Sequence, residues 1–112
     1  MALLTTAMAW TVEVHPAAEV EIDALPADMR VRLLHYFDLI VEFGWNRVPS
    51  KAFKFISQGL WELRLTGRDG IARAFYVKRT DERILVVRVF VKRTQKTPPR
   101  EIQLAQRRAA EV

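Results

Sequence analysis

Between residues 60 and 91 the chain leaves itself almost no room to do anything but fold back on itself twice. Three strand-length segments, Leu60–Thr66, Ile71–Lys78 and Arg83–Val91, are separated only by Gly67-Arg68-Asp69-Gly70 and by Arg79–Glu82. Parallel strands need a crossover of about a dozen residues or more, so connections this short force an antiparallel meander. One face of such a meander is apolar: Trp61, Leu63, Leu65, Ala72, Ala74, Tyr76, Leu85, Val87 and Val89 are expected to line it. Something else in the chain must cover that face.

The flanks supply the cover. Trp10–Val14 alternates like a strand and stops at Pro16. Ala17–Leu25 reads as a short helix. Pro26 suits the first position of a second helix, with Asp28 in its first turn where the helix dipole favours an acid. Val31, Leu34, Phe37, Leu39, Ile40 and Val41 then follow helical spacing to Gly44. Residues 45–59, with Pro49, Lys51, Lys54 and Gly59, read as a loop. Thr97 is a good N-cap with Pro98 behind it, opening a terminal helix to about residue 110. The expected class is α+β, in the order β-α-α-β-β-β-α, with a twisted antiparallel sheet packed on an αα-hairpin and a C-terminal helix. Residues 10–112 form one domain, and residues 1–9 are expected to be a disordered extension in which Met8 offers an alternative start.

Composition sets limits on function. A chain of 112 residues buries roughly 65% of its unfolded surface, enough for a core without staples. It has no cysteine, no basic leader and no apolar run of membrane-spanning length, which points to the cytoplasm and away from a membrane. The charge is unevenly spread. Residues 1–50 carry three arginines against seven acids, a net of −4, whereas residues 51–112 carry fifteen Lys and Arg against six acids, a net of +9. Such asymmetry suits either a polyanionic partner or a solubilising surface.

The meander sharpens this. A turn at Arg68-Asp69 sets Arg64 opposite Arg73, and a turn at Thr80-Asp81 sets Arg73 opposite Arg88. The expectation is a row of three arginines in which Arg73 makes no stabilising pair, with Glu62 on the same face neutralising part of it. Like charges directly opposed cost a sheet up to about 1 kcal/mol per pair, so the row serves an anion rather than the fold. A slipped register would dissolve it. Lys92, Arg93 and Lys96 leave the third strand beside the row, Phe90 either stacks on a base or joins the core, and Lys51 and Lys54 either add phosphate contacts or are solvated. His15 and His35 are far apart, and no cluster has metal-ligand spacing, so neither a metal nor a cofactor is expected. No Ser-His-Asp set, paired carboxylates or phosphate-cradling glycine loop is present.

Three ordered segments carry a resemblance. Gly59-Leu60-Trp61-Glu62-Leu63-Arg64, Arg73-Ala74-Phe75-Tyr76 and Val89-Phe90-Val91-Lys92-Arg93-Thr94-Gln95-Lys96-Thr97-Pro98 resemble the HigB-like, phage-derived branch of the RelE/ParE toxins. Leu25-Pro26, Phe43-Gly44, Glu101-Ile102 and Ala105 fit as well, so that the likeness covers about residues 10–110. It implies a compact RelE-like domain and the toxin of a type II toxin-antitoxin system. The implied activity is a metal-independent, ribosome-dependent mRNA endoribonuclease held in check by a helix-turn-helix antitoxin. By the same resemblance Arg64 and Arg73 match positions that stabilise the scissile phosphate. Lys92 and Lys96 match the basic string after the last strand, and complete the catalytic candidates. Lys51, Lys54, Arg88, Phe90 and Arg93 are the RNA-binding candidates. Relatives often carry His where Arg88 stands and a hydroxyl-bearing aromatic where Phe90 stands, which leaves the general acid and base open. Two alternatives stay open beside the nuclease: a ParE-like DNA gyrase poison, and a basic RNA-binding module without catalysis.

Overall fold

A computed structural model of the chain describes residues 9–92 and 96–112; the expectations placed on residues 1–8 and on Arg93 lie outside the described residues. The elements are β1 (Thr11–Val14), α1 (Pro16–Asp23), α2 (Ala27–Phe43), two 3-10 turns (Gly44–Arg47 and Ser50–Ala52), β2 (Phe53–Ser57), β3 (Leu60–Gly67), β4 (Gly70–Arg79), β5 (Arg83–Lys92) and α3 (Pro99–Glu111). The meander β3-β4-β5 and the three helices stand where the sequence puts them. The segment expected as a loop does not: Phe53-Lys54-Phe55 alternates just long enough to add β2 to the edge of the sheet. The sheet runs β1-β5-β4-β3-β2. Among the described residues β1–β5 is the parallel pair, with α1, α2 and the strands β2–β4 between them in the chain, so the sheet is mixed rather than wholly antiparallel as expected.

Each side of the sheet has its own core. Helix α2 buries Met29, Leu33, Tyr36, Phe37 and Ile40 against Leu63, Leu65, Ala72, Ala74, Tyr76, Ile84 and Val86. The buried stripe is therefore one step round the helix from the expected one, and Val31 and Leu34 are exposed. Helix α3 covers the other side, where Ala105 meets Leu60, Phe75, Leu85 and Val87. Leu85 and Val87 thus face α3 and not α2, which corrects the expected apolar face. Helix starts shift by one residue: Pro26 and Pro98 are the N-caps, and α3 begins at Pro99. No described helix is long and apolar enough to cross a membrane.

The β3–β4 hairpin is pinned to the start of α2. A Cβ on Gly67 would fall 2.7 Å from Met29 Cγ, so only glycine lets the strand end approach this closely. Asp28 Oδ2 accepts the Arg68 N–H at 2.6 Å, and that bond, opposed by partial desolvation, holds its carboxyl below the usual range.

The β4–β5 turn differs from the expected two-residue form. Arg79 pairs with Arg83, leaving Thr80, Asp81 and Glu82 in the loop, with Asp81 and Glu82 at φ of 61° and 56°. A register shift between Phe75 and Tyr76 follows, so Arg73 pairs with Phe90 and Phe75 with Arg88. The three-arginine row is therefore two arginines and a phenylalanine.

Candidate functional site

The pair Arg64–Arg73 survives as expected, and around it the sheet gathers a compact charged cluster. Lys54 of β2 pairs with Glu62 of β3, one step from Arg64 on the same face. Lys92, at the end of β5, pairs with Ile71 and lies two residues beyond Phe90, on that face again. Four cations thus surround one acid.

Glu62 is fully buried, and the arginines explain how a carboxylate tolerates it. Arg73 Nη1 donates to Oε1 at 2.8 Å and also to Oε2, while Arg64 Nε donates to Oε2 at 3.2 Å. The two arginines then differ in what they can reach. The Arg73 side chain is 6% exposed and that of Arg64 is 40%. Arg73 Nε is buried with no partner among the described residues. The sequence expectation that Arg73 makes no stabilising pair is therefore corrected: Glu62, two residues along from Arg64, turns inward and takes it.

Lys92 feels this surrounding directly. Burial depresses its pKa below the ordinary lysine value; the Arg73 charge adds to that, Glu62 opposes it, and Arg64 and Lys54 push it down again. A lysine held this way gives up its proton more readily than one in water, which is what a proton acceptor needs. Beside Arg64 opens a hollow of about 280 Å³ lined by Arg32, Tyr36, Lys51, Arg64, Thr66 and Ile71. Lys51 sits on the 3-10 turn Ser50–Ala52 and so reaches the margin of the cluster. Arg32 and Tyr36, at i and i+4 on α2, were not among the sequence candidates; their spacing was the available signal.

The remaining candidates are distributed elsewhere. Lys96 is exposed just ahead of α3, and Arg93 lies outside the described residues. Phe90 is half-buried, edge-on to Phe75 at 5.3 Å, and packs on the α3-side core, as one of its two expected readings had it. Arg88 is moved two positions from Arg73 by the wider turn and the shifted register. It donates to Glu101 at 2.7 and 3.1 Å and to Glu21 at 2.5 Å, while Arg108 donates to both Glu21 oxygens at 2.9 Å. Hydrogen bonding to Glu101 above all keeps Arg88 protonated, against the desolvation it suffers. In this position it ties α1, β5 and α3 together.

With this geometry established, comparison with known proteins is informative. The family described as "Phage derived protein Gp49-like (DUF891)" matches residues 20–110. No curated protein sequence matches. Among solved structures, an arginine-substituted mutant of the Escherichia coli toxin RelE in the free state is similar, with TM-score 0.59 and 15% identity over 93% of this chain and 97% of that one. The archaeal RelE-RelB complex from Pyrococcus horikoshii OT3 gives TM-score 0.53 and 20% identity over 75% of this chain and 96% of that one. These likenesses show a shared RelE fold.

Proposed function

The chain belongs to the phage-derived Gp49-like family, and we propose that it is the toxin of a type II toxin-antitoxin system, an endoribonuclease that cuts messenger RNA on the ribosome without a metal ion. The observation that carries this reading is the convergence of Lys54, Arg64, Arg73 and Lys92 around the buried Glu62, with Lys92 held below its ordinary pKa. In the proposed reaction the RNA's own 2′-hydroxyl attacks the adjacent phosphorus. Lys92 takes the hydroxyl proton, the new O2′–P bond forms, and the P–O5′ bond breaks. The leaving 5′-oxygen takes a proton from protonated Lys54, giving a 2′,3′-cyclic phosphate and a 5′-hydroxyl. Arg64, the exposed arginine, stabilises the charge that builds on the phosphate. Arg73 acts from behind, as the residue that fixes Glu62 and through it Arg64. The ribosome supplies the positioning of the codon that so small a site lacks.

Two readings from other classes compete. A gyrase poison needs a protein-binding surface and does not require cations gathered on one face of the sheet. A passive RNA binder uses the same cations but needs no proton acceptor among them. Fold alone does not separate these. Inducing the chain in cells, mapping message 5′ ends and following a DNA-damage reporter does: cuts within translated frames support the nuclease, and DNA damage without cuts supports the gyrase poison.

An antitoxin partner is part of the proposal, as a helix-turn-helix protein encoded beside the toxin. The α1–α2 hairpin is acidic and exposes Val20, Val31 and Leu34, which offers such a partner a docking face separate from the cations. Replacing Arg64 and Lys92 together is then expected to leave antitoxin affinity within about threefold of wild type, measured by calorimetry. A loss of a hundredfold or more, about 2.7 kcal/mol, would instead put the partner on the cation site.

A further inference from the structure

Strand β2 is the outermost strand of the sheet on its side and separates two surfaces. Its Lys54 shares the face of the cation cluster, whereas Phe53 and Phe55 pair with Leu63 and Trp61 on the opposite face. Phe55 is 53% exposed, an unusual position for so large an apolar ring. It is also firmly backed. Trp61 meets it edge-on at 5.4 Å, and the Trp61, Tyr76 and Trp45 rings follow one another at interplanar angles of 22° and 20°. Lys78 Nζ lies 4.1 Å from the Trp61 ring centroid, so a cation is held over the ring that backs Phe55.

An open sheet edge can accept a further strand, but β2 is badly suited to that. The register shift between Phe55 and Ser57 interrupts the regular row of hydrogen bonds an added strand needs, and Lys54 puts a charge on the edge. An unstacked nucleobase asks for less, only a π-face and a cation near its phosphate. We propose that Phe55, buttressed by Trp61 with the Lys78 cation over the Trp61 ring, is a base-stacking subsite for single-stranded RNA. It takes a nucleotide neighbouring the one held at the cation cluster, as the RNA passes over the β2 edge with Lys54 on its other side. The identity of the RNA as substrate rests on the nuclease reading; the binding itself does not.

The test measures anisotropy of an end-labelled single-stranded RNA of about twelve nucleotides, a length within the usual site sizes, titrated with the full chain. Phe55→Ala is expected to bind about tenfold more weakly, the effect of losing one stacked base, while Phe55→Tyr binds as wild type does. An RNA of the same length without bases should bind wild type and Phe55→Ala alike. Equal affinity of wild type and Phe55→Ala for intact RNA overturns the subsite. So does absence of binding by wild type, and so does a Phe55→Ala defect confined to a protein partner. The two proposals fail separately. Growth arrest without message cleavage, alongside Phe55-dependent RNA binding, removes the nuclease and keeps the subsite; message cleavage with Phe55-independent binding does the reverse.

Discussion

Arg73→Ala is expected to lower the stability of the protein by about 3–5 kcal/mol, the usual result of removing one partner from a buried ion pair. The reason is Glu62. Its carboxylate is wholly buried and its main partner is the Arg73 guanidinium. Arg64 alone, through a single 3.2 Å bond from Nε, cannot satisfy it. Small domains are stable by only about 5–15 kcal/mol, so the variant should lie near the edge of folding. Urea unfolding followed by tryptophan fluorescence reads this directly, as a lowered midpoint with an unchanged slope. Replacing Glu62 and Arg73 together by leucine should recover much of the loss, because no charge is then left buried alone. A midpoint for Arg73→Ala equal to wild type would mean that Glu62 is not held as described.

Loss of cleavage with stability kept is expected at Lys92. Lys92→Ala should reduce cleavage on ribosomes by about 10²–10⁴-fold, the range for a lost general base. Lys92→Arg separates charge from proton transfer. It keeps the cation, but guanidinium does not deprotonate in proteins, so it should be as inactive as the alanine variant. The pH dependence has a definite sign. Cleavage needs Lys92 neutral, so on the acidic limb of its profile the rate rises with pH up to the pKa of this lysine, which burial and the Arg73 charge place below the ordinary value. Near-wild-type cleavage by Lys92→Arg would remove Lys92 from the proton transfer and leave it a phosphate contact.

How much of this the sequence disclosed depends on local turn chemistry. The β3–β4 register was legible because glycines bracket a two-residue turn, and it set Arg64 opposite Arg73 correctly. The β4–β5 register was not, because Asp81 and Glu82 adopt positive φ without being glycine and so give no signal of a three-residue turn. The register shift that follows moved Arg88 from the phosphate row to the helix junction with Glu21 and Glu101. Glu62 could be placed on the arginine face by alternation, but its depth depends on β2 lying against β3, and β2 alternates over too few residues to be read as a strand. The end of the third strand places Lys92 beside the arginines, and the resemblance gives it a catalytic part; the cause of its lowered pKa required knowing that Arg73, Arg64 and Lys54 converge on it.

The central claim is that this cation cluster cuts RNA, and Arg64 is where it can be tested most cleanly. Its side chain is 40% exposed and donates to Glu62 through Nε at 3.2 Å, so Arg64→Ala should stay folded while the buried Arg73 pair persists. Ribosomes carrying a defined message in the A site are mixed with wild type or with Arg64→Ala, and the fragments are followed over time with their ends identified. Wild type should give a 2′,3′-cyclic phosphate and a 5′-hydroxyl, and Arg64→Ala should do so about 10²–10³-fold more slowly, as when one transition-state donor is removed. Cleavage at the wild-type rate by a folded Arg64→Ala protein, or no cleavage by wild type at all, would contradict the account.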